Sequence, residues 1–318
     1  MIFAYLALTV ICFFFVLKAA DTLVVSSSVI ARHYGIPPVF IGVVLVGIGT
    51  SAPEIFVTLM ASLSSHPEIV LGNAAGSIAA NTGIAMAVIF WLYDRGIKKA
   101  SGVDRAAVNN IFIALNFLFL GAGAFSMIFL LKNSIGRTAG IIMLLLMAAY
   151  FYLTAIINGK LFSVAVPDRA VGKAFLRFTL SLAVLIACCK VVVASSSQVA
   201  RLAGISEFII GLTIIAVGTS LPEIITSLTA MRKGEWGLAV GDLVGSQALN
   251  LYFLIGLSAL IRPIEMDNSV FFFGWLALFL GEICFFLWDK KIPSRVKSLV
   301  LFATYCAYLF ANVRGGWR

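Results

Sequence analysis

The sequence predicts an all-α integral membrane protein: ten transmembrane helices arranged as two inverted five-helix repeats. Three observations carry this reading. Mean hydropathy is +1.06, with 61% hydrophobic and 12% charged residues in 318, ten apolar stretches have spanning length, and the chain matches itself at an offset of 169 residues. Soluble domains do not carry such a composition.

A helix needs about 20 residues to cross a bilayer. Apolar stretches of that order lie at 2–30, 37–62, 69–93, 106–131, 136–158, 173–200, 206–231, 236–261, 269–288 and 296–313. The first is too long and internally polar for a cleaved signal, so it is expected to remain part of the fold. The expected organisation is a first repeat over 1–158, a cytoplasmic connector over 159–172, and a second repeat over 173–318.

The net charge of +9 reports topology and not a nucleic-acid partner, because the bases sit in short inter-helix loops. With loops on alternate sides, fifteen of the 23 Lys and Arg collect on one face and six on the other, while Lys18 and Lys190 fall inside apolar segments. The basic face should be cytoplasmic. This places the chain as a multi-pass protein of a cell membrane, with both termini extracytoplasmic, working as a monomer in the lipid bilayer. The five cysteines, Cys12, Cys188, Cys189, Cys284 and Cys306, form no metal or redox spacing and read as buried thiols.

At the 169-residue offset, residues 26–61 align with 195–230 without a gap, with 17 identities in 36 positions. The same offset carries GNAAGSIAAN (72–81) onto GDLVGSQALN (241–250). Each copy has five helices, an odd number, so the copies enter the membrane from opposite sides, the plan of many secondary transporters. Equivalent residues should then meet near the midplane, giving Glu54 a partner in Glu223.

In GTSxPE the proline supplies no N–H and crowds the preceding turn, so the helix is expected to loosen near Gly49 and Gly218. Carbonyls freed at membrane depth survive only against protein or a water-filled cavity. Thr50 and Ser51 share a face with Glu54, as Thr219 and Ser220 do with Glu223. In the second motif Ser77 and Asn81 lie one turn apart, like Ser246 and Asn250. Carboxylates, amides and hydroxyls without imidazole or thiol are hard-cation ligands, and Ca²⁺ takes about 6–8 oxygens. An unpaired carboxylate at the bilayer centre costs at least ~2.5 kcal/mol, so the glutamates read as functional. The Ser triplets 26–28 and 195–197 read as helix packing. Asn73 and its mate Asp242 stand one turn before the second motif's serine, and Asp242 is a candidate modulator of the site.

Lys18 and Asp21, three residues apart, are expected to pair, with Lys190 at the repeat position of Asp21. Glu282 has no repeat mate. Glu68 and Glu207 read as interfacial residues near helix starts.

The paired GTSAPE…GNAAGSIAAN and GTSLPE…GDLVGSQALN resemble the two α-repeats of the Na⁺/Ca²⁺ exchanger family, within the cation/Ca²⁺ antiporter superfamily, in its prokaryotic form without a large regulatory domain. The resemblance implies cation sites between the second, third, seventh and eighth helices, held by Glu54 and Glu223, Ser51, Ser220, Ser77, Ser246, Asn81, Asn250, the Thr50 and Thr219 hydroxyls, and the Gly47 and Ala216 carbonyls. The first and sixth helices would slide past this core. Some members carry aspartate at one position held here by Asn81 or Asn250, and the usual GSN triplet is GSI and GSQ here, departures that bear on stoichiometry and selectivity.

The implied function is exchange of Na⁺ for Ca²⁺ by alternating access, with no enzyme activity and no cofactor beyond the transported ions. The alternatives are a Ca²⁺/H⁺, K⁺-dependent or Mg²⁺ exchanger of the same superfamily. A more distant one is an intramembrane protease, suggested by Tyr93-Asp94 and Gly241-Asp242. That motif wants glycine where Ala239 stands, and the only histidines, His33 and His66, are expected in loops.

Overall fold

The structure is a computed structural model that describes residues 2–96, 134–159, 170–204, 214, 216–265 and 293–315. The expected helices at 106–131 and 269–288, and with them Glu207, Glu282, Cys284 and most of the 159–172 connector, lie outside the described residues.

The described chain is almost wholly helical. Helix α1 (Ile2–Tyr34) is followed by a broken rod of α2 (Pro38–Ile41), a π-helical turn (Gly42–Val46), α3 (Gly47–Thr50) and α4 (Ala52–Leu63). Next come α5 (Pro67–Ala80), a second π-helical turn (Asn81–Met86) and α6 (Ala87–Gly96), then β1 (Ser134–Ile135) and α7 (Arg137–Gly159). The second half runs α8 (Val171–Leu202), α9 (Ala216–Thr219), α10 (Leu221–Arg232), α11 (Trp236–Ala248), a third π-helical turn (Leu249–Leu254), α12 (Ile255–Ile261), β2 (Ile264–Glu265) and α13 (Ser294–Gly315). Among the described residues five stretches are long and apolar enough to cross a membrane: Ile2–Tyr34, Ile69–Leu92, Arg137–Ile156, Val171–Leu202 and Trp236–Ile261. The pair Pro38–Thr50 and Ala52–Leu63, bent by 52°, makes a sixth.

Local geometry repeats at the sequence offset. Left-handed residues end α1 and α8 at Gly35 (φ 64°) and Gly204 (φ 80°), and the next turns at Ser65 (φ 65°) and Gly234 (φ 79°). Each pair is 169 apart. No glycine or proline precedes Gly35 in this helix, so α1 continues past the expected residue 30, and His33 stands in its last turn and not in a loop, its ring 4.6 Å from that of Tyr34.

Helices α1 and α8 pack along their length, with the serine triplets in or beside the contact: Ser26, Ser27, Ser28, Ser195 and Ser197 are buried, and Thr9 bonds Ser195 at 2.7 Å. Buried hydroxyls such as Ser27 and Ser28 return a hydrogen bond to the carbonyl four residues back, which keeps them satisfied against apolar neighbours. The broken rod of the first half lies against α11 of the second, backbone on backbone. A Cβ on Gly241 would stand 2.2 Å from the Val39 carbonyl oxygen, and one on Gly42 2.6 Å from that of Leu238. Small residues of this kind let membrane helices approach closely.

Lys18 and Asp21 do not pair as expected. Asp21 instead meets Lys233, at the end of α10, at 2.7 Å, and the Lys18 ammonium lies 5.8 Å from the Phe14 ring centroid. Helical spacing permitted the local pair, but the turn after α10 brings a competing ammonium against α1.

Candidate cation site

The two GTSxPE motifs break their helices in the same way. Pro53 and Pro222 occupy the second position of α4 and α10, where a missing N–H costs nothing. The preceding serines leave the helical region with nearly equal angles, φ −80°, ψ 7° at Ser51 and φ −86°, ψ 6° at Ser220. The loosening therefore centres two residues later than Gly49 and Gly218, and in the first half it is accompanied by the π-helical turn at Gly42–Val46.

Serine at a helix N-cap ordinarily turns its hydroxyl back onto the first-turn amides. Neither serine does so here. Ser51 Oγ instead reaches into the other copy, donating to Glu223 Oε1 at 2.7 Å and standing 3.1 Å from Ser246 Oγ. Glu54 and Glu223 lie in the first turns of their half-helices, where the positive end of the dipole favours an anion. Both are fully buried. Ser77, from the second motif, donates to Glu54 Oε1 at the long distance of 3.5 Å.

Thr50, Ser51, Glu54, Ser77, Asn81, Ser220, Glu223, Ser246 and Asn250 each have 0% exposure, and Gly47 is buried. Thr219 is partly exposed, so the second copy holds its threonine less enclosed than the first. Ala216 opens α9, and its surroundings lie outside what is described. Asn81 begins one π-helical turn and Asn250 is the second residue of another.

Buried polar atoms nearly always have partners, yet several here do not. Among the described residues eight buried side-chain N or O atoms lack one, and six of these belong to the two motifs: Glu54 Oε2, both amide atoms of Asn81, Ser220 Oγ, Glu223 Oε2 and Asn250 Oδ1. The other amide group of Asn250 donates to the Ser246 carbonyl at 2.8 Å. No group of three His, Cys, Asp or Glu is placed to hold a metal among the described residues, so carboxylates alone do not make this a metal centre. The remaining oxygens come from hydroxyl and amide groups.

Asp242, also at 0% exposure, sits beside this set: Thr50 donates to its Oδ1 at 3.1 Å and Ser227 to its Oδ2 at 2.7 Å. Sequence reading passed over Ser227 and its mate Thr58, which binds the Asn73 amide at 2.9 Å. Their signal was available, a hydroxyl one turn after each glutamate at matching repeat positions. A further cross-copy bond, Gln247 Nε2 to Thr82 Oγ1 at 2.7 Å, has no repeat mate, since Ile78 and Leu251 occupy the equivalent positions.

The sodium/calcium exchanger protein family matches residues 4–156 and 173–314. The inner membrane protein YrbG of Escherichia coli (strain K12) is 30% identical over 318 residues, covering 95% of each chain. The sodium/calcium exchanger MaX1 of Methanosarcina acetivorans is 28% identical over 337 residues, covering 93% of this chain and 94% of its own. A solved structure of the sodium-calcium exchanger NCX_Mj superposes with a TM-score of 0.79 at 23% identity, over 98% of this chain and 99% of that one, a likeness of fold. The chain is a transmembrane antiporter and belongs to the sodium/calcium exchanger protein family.

Proposed function

We propose that this chain exchanges Na⁺ for Ca²⁺ across a cell membrane by alternating access at a site between the two copies. The observation that carries the reading is the set of five unpartnered buried oxygens in the paired motifs, on Glu54, Asn81, Ser220, Glu223 and Asn250. In a membrane interior each would cost free energy unless something satisfies it, and a hard cation satisfies carboxylate, amide and hydroxyl oxygens together. Glu54 and Glu223 are the central acids in this reading. Ser51, Ser77, Ser220 and Ser246, Asn81 and Asn250, the Thr50 and Thr219 hydroxyls, and the Gly47 and Ala216 carbonyls complete the oxygen shells that several Na⁺ or one Ca²⁺ would occupy in turn.

The proposed architecture is two inverted five-helix repeats, 1–158 and 173–318. Two sets of contacts support it. The turn at Ser65 receives the Arg262 side chain, whereas the equivalent turn at Gly234 neighbours the Arg32–Glu235 pair, 3.8 Å long. The loops expected on the less basic face also meet, Ser134–Ile135 pairing with Ile264–Glu265. Repeat mates thus keep company with opposite faces, which inversion requires. Arg32, Lys233 and Glu235 would lie on the cytoplasmic side and both termini on the other.

No enzymatic role is proposed, since the family that matches is one of exchangers. The test is Ca²⁺ uptake by vesicles containing the purified chain, with and without an opposing Na⁺ gradient, at clamped pH. Uptake that requires the Na⁺ gradient is expected. Uptake indifferent to Na⁺ and driven by a pH step would replace it with Ca²⁺/H⁺ exchange.

A further inference from the structure

One repeat position is neutral in the first copy and charged in the second. Asn73 and Asp242 are mates, and each engages the hydroxyl one turn past its glutamate: Asn73 Nδ2 donates to Thr58 Oγ1 at 2.9 Å, and Ser227 Oγ donates to Asp242 Oδ2 at 2.7 Å. The asparagine spends its remaining reach within its own copy, donating to the Glu54 carbonyl at 3.2 Å. Asp242 reaches across copies, and its Oδ1 accepts from Thr50 Oγ1 at 3.1 Å.

Two features set this carboxylate apart from the central acids. Both of its oxygens are taken by hydroxyls, whereas Glu54 and Glu223 each keep one oxygen unpartnered. It is fully buried, and among the described residues no cationic side chain pairs with it. A carboxylate so enclosed does not itself hold cargo. It acts on what it touches.

What it touches is Thr50, whose single hydroxyl proton has Asp242 Oδ1 at 3.1 Å, the Val46 carbonyl at 3.0 Å and the Gly47 carbonyl at 3.3 Å within reach, with the Glu223 carboxylate as a further acceptor. When Asp242 is ionised its bond is roughly twice as strong as one to a carbonyl, and holding the proton there also keeps it off Glu223. Both lone pairs of Thr50 Oγ are then turned away from Asp242, and the Gly47 carbonyl is spared the competing donor. With a neutral group at 242 the proton is shared with the two carbonyls, and the oxygen dipoles scatter.

We propose that Asp242 is a positioning residue for cation selectivity: by holding the Thr50 hydroxyl proton it points oxygen dipoles at the cargo, which favours a divalent over a monovalent ion. The gain from an aligned dipole scales with ionic charge, so Ca²⁺ profits more per site than Na⁺. This inference rests on the cation site proposed above.

The test is equilibrium binding of radioactive Ca²⁺ to the purified full-length chain in detergent, with Na⁺ as competitor and no gradient. Asp242→Asn keeps the shape, and Asn73 shows that an amide suits the position. We expect the Ca²⁺ Kd to rise about tenfold, less Na⁺ to be needed to displace half the bound Ca²⁺, and the thermal midpoint without cations to stay put. A purely structural role would lower the midpoint and weaken both ions alike. Because the effect passes through Thr50, adding Asp242→Asn to Thr50→Val should change Kd by less than about twofold. Wild-type Ca²⁺ binding in Asp242→Asn, or its full effect in the Thr50→Val background, would overturn the proposal. Should Asp242→Asn not fold, Thr50→Ser against Thr50→Val carries the test: near wild-type binding in the first with loss in the second is expected, and equal loss in both overturns it. A wild-type chain that binds no Ca²⁺ would sink the proposed cation site itself, whereas unaltered binding in Asp242→Asn sinks only this inference.

Discussion

Replacing Glu223 with glutamine removes a charge while leaving the surrounding geometry intact, because the amide oxygen can still accept from Ser51 Oγ, which lies 2.7 Å from Glu223 Oε1. A Ca²⁺ ion about 3 Å from the carboxylate centre interacts with it by roughly 332 × 2/(20 × 3), or ~11 kcal/mol, at an effective dielectric of about 20. The ion and carboxylate each lose hydration, which offsets much of this. If even ~3 kcal/mol survives, Ca²⁺ affinity falls more than about a hundredfold. Stability should move the other way. Glu54 and Glu223 are both fully buried on facing motifs, so without cargo two like charges oppose each other in a poorly solvated interior, and neutralising one relieves that repulsion. The expected pair of results is loss of Na⁺-driven Ca²⁺ uptake in vesicles and a thermal midpoint, measured without cations, at or above that of the wild type. Uptake near the wild-type level would refute the assignment of Glu223 to the site. Lost uptake with a lower midpoint would mean that the carboxylate serves folding.

Glu54→Gln should behave as Glu223→Gln does in the same two assays, since it sits at the equivalent helix start. Gly241→Ala should be poorly tolerated: its methyl group would stand 2.2 Å from a backbone oxygen and 3.0 Å from Gly42 Cα, neither of which can rotate away. Overpacking of this kind costs about 1–3 kcal/mol or more, read as a lowered thermal midpoint, and an unchanged midpoint would argue against backbone contact between α11 and the first copy's broken rod. Asp94→Asn should leave uptake unaltered, because Asp94 lies in the last turn of α6, where the basic run begins; a strong loss would revive the aspartyl-protease alternative.

Much of this was legible because membrane proteins write their constraints plainly. Apolar length located the described helices to within a few residues, and the repeat located both motifs and the mates that face each other. What the sequence hid was tertiary choice. The Lys18–Asp21 spacing was correct for a helical pair, but Lys233 arrives from a turn more than two hundred residues away. The proline foretold a break, yet its centre fell at Ser51 and Ser220 because proline fits the second position of the helix it begins, which moves the irregular residue to the one just ahead. The bond from Thr50 to Asp242 could not be read at all, since it depends on how closely two copies 192 residues apart approach.

That approach makes the site a property of the pair and not of either copy. Within one repeat, a serine at a helix start would cap its own helix, and the glutamate three residues on would find no hydroxyl from beyond. Here Ser51 gives up the cap and donates to Glu223, a bond that exists only because Gly42 and Gly241 bring the two backbones together without side chains between them. The proline break supplies a helix N-terminus for each acid, Ser77 of its own copy supplies a hydroxyl to Glu54, and the glycine contact brings Ser51 of the first copy to Glu223 of the second. Duplication is therefore sufficient to create paired half-sites, while selectivity must come from where the copies differ. Among the described residues buried against this site, the change of Asn73 to Asp242 is the difference that alters charge, which is why the second copy and not the first is expected to set the preference between ions.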